Sequence, residues 1–188
     1  MSIASDVDIV NQAIVKVGAE TISSLSDSTE VARVFNRIYE RVRNDLLYSH
    51  PWNFAIKRIS IAADATVPIF NWANRFALPS DCLRVLSTDL DDPEEWHVEG
   101  AYVVANASTL KIEYIAKVTD VTKYSAGFIE VLSAKLAADA CYSLVQSVTL
   151  RQQLKDEYKE SLRQARSFDA QEAAGDRVYA DSWLNARA

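Results

Sequence analysis

Few side chains in this sequence have the types that catalysis or metal binding needs. There are two histidines, His50 and His97, and two cysteines, Cys82 and Cys141, in 188 residues. No second His or Cys stands at ligand spacing from any of them. The expected roles are buried, reduced thiols and structural or surface histidines. His50 falls at a predicted helix end, where the dipole favours a cation. The serines form no nucleophile elbow, and no glycine-rich phosphate loop occurs. One carboxylate run, Asp89-Leu90-Asp91-Asp92-Pro93-Glu94-Glu95, has the residue types for the paired acids of glycoside hydrolysis. A proline-containing hairpin tip would instead expose Asp89, Asp91, Asp92, Glu94 and Glu95 to water, where carboxylates keep ordinary pKa values. We therefore expect no catalytic, cofactor-binding or metal-binding residue, and an acidic loop that faces DNA or a basic partner patch.

Two further groups invite a nucleic-acid reading and do not support it. Arg33, Arg37, Arg41 and Arg43 give one helix a basic side, but Glu30, Glu40 and Asp45 are within reach for ion pairs, the usual fate of a charged helix face. Trp52, Phe54, Phe70, Trp72 and Phe76 lack the interleaved basic residues of a base-stacking platform and are expected in the core of a sheet. The formal charge is −6 and the pI about 5.0, so the chain has no basic field with which to grip phosphates. An acidic surface can still lie beside DNA without holding it.

The elements that would position these residues read clearly. Hydrophobic residues make up 49% and charged residues 24%, the balance of a soluble globular protein, and only 4 Gly and 4 Pro interrupt it, which favours helices. No apolar run is long enough to span a bilayer, and Met1 to Asp6 lacks the features of a signal peptide, so folding in the cytosol is expected. Ser5 and Asp8 cap a first helix that carries Val7, Val10, Ile14 and Val17 and ends at Gly18. A second helix presents Val31, Val34, Phe35, Ile38, Val42 and Leu46 as its apolar stripe and stops before Pro51. From Trp52 the period becomes two. Strands are expected around Phe54 to Ile59, Arg75 to Leu78, Leu83 to Leu86, Trp96 to Val98, Tyr102 to Val104 and Leu110 to Tyr114, with a turn at Glu99-Gly100. A third helix holding Phe128, Leu132, Leu136, Ala140 and Cys141 is apolar nearly all round, as at the centre of a bundle or a subunit interface. A fourth, opened by Thr149 and Gln152, carries Leu150, Leu154, Tyr158, Leu162 and Ala165.

The expected fold is thus α+β. Residues 1–51 and 119–172 form an antiparallel helical bundle, residues 52–118 a small inserted antiparallel β domain, and residues 173–188 an extended C-terminal tail. Past Gly175 that tail is too polar to fold alone, yet it holds Tyr179, Trp183 and Leu184, which need burial on some surface.

The segments His50-Pro51-Trp52-Asn53-Phe54-Ala55, Arg75-Phe76-Ala77-Leu78-Pro79-Ser80-Asp81-Cys82-Leu83-Arg84-Val85 and Ala180-Asp181-Ser182-Trp183-Leu184 resemble the tail tubular protein A family of short-tailed bacteriophages. Ala13 to Gly18 and the helix from Arg33 to Arg43 are similar to it as well, so the resemblance runs along nearly the whole chain. It implies a non-enzymatic virion subunit without a cofactor, a dodecameric homo-oligomeric ring that joins the portal protein to the tail nozzle protein. Genomic DNA would pass through the channel without specific binding, and no membrane would be involved. On this reading Tyr179, Trp183 and Leu184 dock on the portal, and the run from Asp89 to Glu95 faces the lumen or the nozzle. The competing readings are a head-completion connector of a long-tailed phage and a virion-associated peptidoglycan hydrolase.

Overall fold

The computed structural model describes residues 5–90 and 92–172. It is a mixed α+β structure of four helices and two small antiparallel sheets. Helix α1 (Asp6–Val17) starts where Ser5 Oγ accepts the Asp8 N–H. It stops where Gly18, at φ 78°, turns its N–H back to the Ile14 and Val15 carbonyls, a left-handed cap that costs glycine nothing. Helix α2 (Glu30–Ser49) is capped by Thr29 and ends at His50, before the proline.

The buried face of α2 is rotated from the expected stripe. Ala32, Phe35, Tyr39, Val42, Leu46 and Leu47 are buried, whereas Val31, Val34 and Ile38 lie on its half-buried flank. Tyr39 is drawn inward because its hydroxyl donates to the Asp6 carboxylate of α1.

Helices α3 (Ala126–Val145) and α4 (Val148–Glu172) form an antiparallel pair, with Arg151 beside Tyr142 at one end and Ala165 against Gly127 at the other. A Cβ on Gly127 would stand 3.1 Å from that of Ala165, so glycine permits this close approach. Helix α4 begins two residues earlier than expected. Ser147, not Thr149, caps it, its hydroxyl accepting the Leu150 N–H and its carbonyl the Arg151 N–H. As its all-round apolarity foretold, α3 is buried on nearly every side and packs against α1, α2 and α4.

Strand β1 (Ile56–Ala62) follows a single 3-10 turn at Asn53–Ala55, so Phe54 precedes the strand instead of opening it. The others are β2 (Asn74–Ala77), β3 (Cys82–Thr88), β4 (Trp96–Glu99), β5 (Tyr102–Ala105) and β6 (Thr109–Ala116). The expectation of one sheet is corrected. The orders are β1-β6-β3 and β2-β5-β4, two three-stranded sheets whose inner faces share a core of Phe76, Val103, Leu110, Ile112 and Tyr114. The β4–β5 turn is Gly100-Ala101, one residue later than expected, since Glu99 pairs with Tyr102.

Strand β6 carries both cores. Leu110, Ile112 and Tyr114 point into the sheet core, while Ile115 on the opposite face is buried against the helices.

Candidate functional site

The acidic run lies on the chain that leaves β3 for β4. These strands belong to different sheets, so the segment is a crossover and not the tip of a hairpin. Its carboxylates are also not equivalent. Asp89 accepts the Lys111 N–H at 2.8 Å and faces its ammonium at 3.5 Å, and these contacts hold its carboxyl below the usual range, the backbone N–H foremost. Asp92 caps a short 3-10 turn (Pro93–Glu95) by accepting the Glu94 N–H at 2.9 Å. Asp92, Glu94 and Glu95 are exposed, and Asp91 lies outside the described residues. None of the described carboxylates of this run is buried.

The basic side of α2 is smaller than its sequence promised. Arg43 is buried, bonded through Nε and Nη2 to Asn44 and through Nη2 to Glu40 at 3.4 Å, with the Tyr39 ring 5.9 Å away. Arg41 bridges Asp45 at 3.2 Å and Asp139 at 3.6 Å, which leaves Arg33 and Arg37 as exposed cations without an ion pair among the described residues.

The aromatics divide in a way their composition did not announce. Trp52 and Phe54 join the helical core with Tyr124 and Phe128, and Phe76 is buried between the sheets with Tyr114. Trp72 is half-buried, and Phe70, expected in the core, is 73% exposed on the β1–β2 loop beside Ile69. Cys141 is buried, but Cys82 is only half-buried, and burial raises both thiols.

The fold assembles one pair that sequence reasoning missed. His50 Nε2 meets Asp169 Oδ2 of α4 at 3.1 Å, a partner 119 positions away. Asp169 also accepts the Asn53 N–H at 3.2 Å, and its carbonyl takes the Asn53 side-chain amide at 2.6 Å. Next to it, Arg166 reaches the Ser49 carbonyl at 3.3 Å. No local signal could have found this pair, because its partners are 119 positions apart. With both carboxylate oxygens of Asp169 engaged, the pair works as a clasp between the end of α2 and the end of α4.

Burial lowers the His50 pKa from 6.5, helped by the charges of Arg166 and Arg84, against the opposing pull of Asp169. Since the folded value lies below the unfolded one, His50 contributes its full stability above pH ~6.5, and the contribution is lost as pH falls through the folded value. Denaturation midpoints at pH 7.5 and pH 5.5 should therefore fall further with acid in the native chain than in His50→Gln. Equal slopes would show that the clasp does not sense protons.

Tyr179, Trp183 and Leu184 lie outside the described residues. Among those described, no group of three or more His, Cys, Asp or Glu is placed to hold a metal ion, and no helix is long and apolar enough to cross a membrane. No model of a known protein family matches the chain, and a search of the curated proteins gives no match.

Proposed function

We propose that this chain is a structural head-to-tail adaptor subunit of a short-tailed phage virion. It is made and assembled in the host bacterial cytoplasm and resides in the tail. A ring of copies, twelve by the resemblance, sits between portal and nozzle, and the genome passes through it during ejection. Residues 1–51 and 119–172 serve as an antiparallel bundle, 52–118 as the inserted β domain and 173–188 as a docking tail. The protein catalyses nothing.

The observation that carries this reading is where the resembling segments fall. His50 to Ala55 connects α2 to β1 through the Asp169 clasp, and Arg75 to Val85 runs from β2 in one sheet to β3 in the other. Both are junctions of the architecture, where the packing sets how helices and sheets are joined. The formal charge of −6 supports a channel in which a polyanion stays mobile. Ring closure supports stable assembly, because many identical contacts add up without any pair being tight.

The test is attachment to portal rings, followed by electron microscopy or co-sedimentation. The tail offers Tyr179, Trp183 and Leu184, and truncating a buried interface Trp typically costs ~2 kcal/mol or more. Deleting residues 176–188 should leave the helical signal and melting temperature of the free protein nearly unchanged while abolishing attachment. A much lower melting temperature would make the tail a strap on its own helices. If neither the full chain nor the truncated one binds portal, the adaptor reading fails.

A further inference from the structure

Two partly apolar surface features lie at opposite ends of the β2-β5-β4 sheet. At one end, the β1–β2 loop holds Val67, Ile69 and Phe70 at 60%, 99% and 73% exposure. The loop is anchored at its base. Asp64 donates its N–H to the Arg75 carbonyl at 2.8 Å and takes the Arg75 guanidinium at 3.1 Å. The Ala73 N–H is bound by Asn106 at 2.9 Å. Asn71, at φ 68°, turns the chain just after the apolar pair. The result is a held knob.

At the other end lies a cleft of about 580 Å³, lined by Tyr48, Leu78, Cys82, Leu83, Arg84 and Val98 among others. Tyr48 and Val98 are themselves 52% and 42% exposed. Strand register fixes the two ends. Asn74 and Trp96 both pair with Ala105 on the knob side, and Ala77 and Glu99 both pair with Tyr102 on the cleft side, roughly 10 Å along the strands.

Charge follows the same polarity. The exposed acids Asp92, Glu94 and Glu95 immediately precede Trp96 at the knob end. At the cleft end, Arg84 lies over the Tyr48 ring at 5.4 Å, and Arg166 is bonded to the neighbouring Ser49. The acids there are Glu99, exposed, Asp81, already held by Lys57 and Tyr114, and Asp169, held by His50 and Asn53. An apolar projection with acids at its end of the sheet and a mixed polar and apolar recess rimmed by Arg84 are complementary to each other. Within one copy they lie at opposite ends of the same sheet.

We infer that the Ile69–Phe70 knob docks in the Tyr48–Val98 cleft of a second copy of this chain, head to tail. Such a contact is heterologous, so each copy keeps one knob or one cleft free for the next, and the series closes into a ring or runs on as a filament. This deepens the ring-forming role proposed above and rests on it. It gives the acidic crossover a neighbour's arginines to face, in place of the lumen.

Cys82 supplies the test, because it lines the cleft and is a free thiol. In the full chain carrying Ile69→Cys, mild oxidation at high protein concentration should produce a ladder of dimer, trimer and longer covalent species, which Cys82→Ser removes. Light scattering should show self-association of the native chain weakened by roughly 30-fold or more in Phe70→Asp, the loss typical of a buried aromatic anchor. An equimolar mixture of Phe70→Asp with Leu83→Asp, each folded by circular dichroism, should stop at dimers, because only one intact knob and one intact cleft remain per pair. Oxidation that yields only dimers and persists without Cys82, or yields no cross-link at all, overturns the head-to-tail assignment. Portal attachment of the unmodified chain is scored separately. A failed ladder with intact portal binding thus removes this interface and leaves the adaptor reading standing.

Discussion

Replacing Trp52 by alanine should destabilise the protein by ~3–5 kcal/mol, the range for emptying a fully buried tryptophan site. The indole is completely buried, edge-on to Phe128 at 5.2 Å and to His50 at 4.7 Å, and stacked near Phe54 at 6.4 Å. Its Nε1–H donates to the Leu46 carbonyl at 3.1 Å, but that carbonyl also accepts the Ser49 hydroxyl at 2.8 Å and keeps a partner when the indole goes. The cost therefore comes from the cavity and lost ring contacts far more than from an orphaned acceptor. Urea unfolding followed by circular dichroism measures it. A loss under ~1 kcal/mol would show that the three remaining rings collapse into the space, and that they do not fix how α2 meets the sheets.

Ile115→Ala and Ile112→Ala should each cost ~2–5 kcal/mol, although the two side chains sit in different cores. Ile115 is fully buried against the helices and Ile112 nearly so between the sheets, on opposite faces of β6. Because one strand serves both, neither core can open without exposing the other's wall. Hydrogen exchange should consequently quicken in α3 and β5 together in either variant. Faster exchange in β5 alone for Ile112→Ala would show that the sheets unfold on their own.

The helices were legible where their signals are local. Ser5 and Gly18 bracket α1 because an N-cap oxygen and a left-handed C-cap are chosen within one turn of chain. The same rule failed at α4, where Ser147 and Thr149 both carry a suitable hydroxyl and only the tertiary path selects the first. Apolar periodicity misjudged the buried face of α2 because Ala32 and Tyr39 are weakly hydrophobic, and Tyr39 is drawn inward by Asp6. Alternation revealed the strands but not their pairing, since period two says which side chains share a face and nothing of which strand lies alongside. That is why two sheets were read as one and the acidic crossover as a hairpin tip. His50 could not announce Asp169 across 119 positions, and Phe70 was assigned to the core because an aromatic ring carries no mark of its exposure.

Phe54 and Tyr124 flank the sheets on the way in and on the way out, and their rings are 5.6 Å apart. To the helices, everything between these gateposts is one closed loop. The entropic toll of closing a loop rises only logarithmically, about 0.6 kcal/mol for each doubling of length. Strands and turns can thus be added, trimmed or exchanged beyond the gateposts at little cost to the helices, so the sheets are free to change their shape while the helical part keeps one sequence.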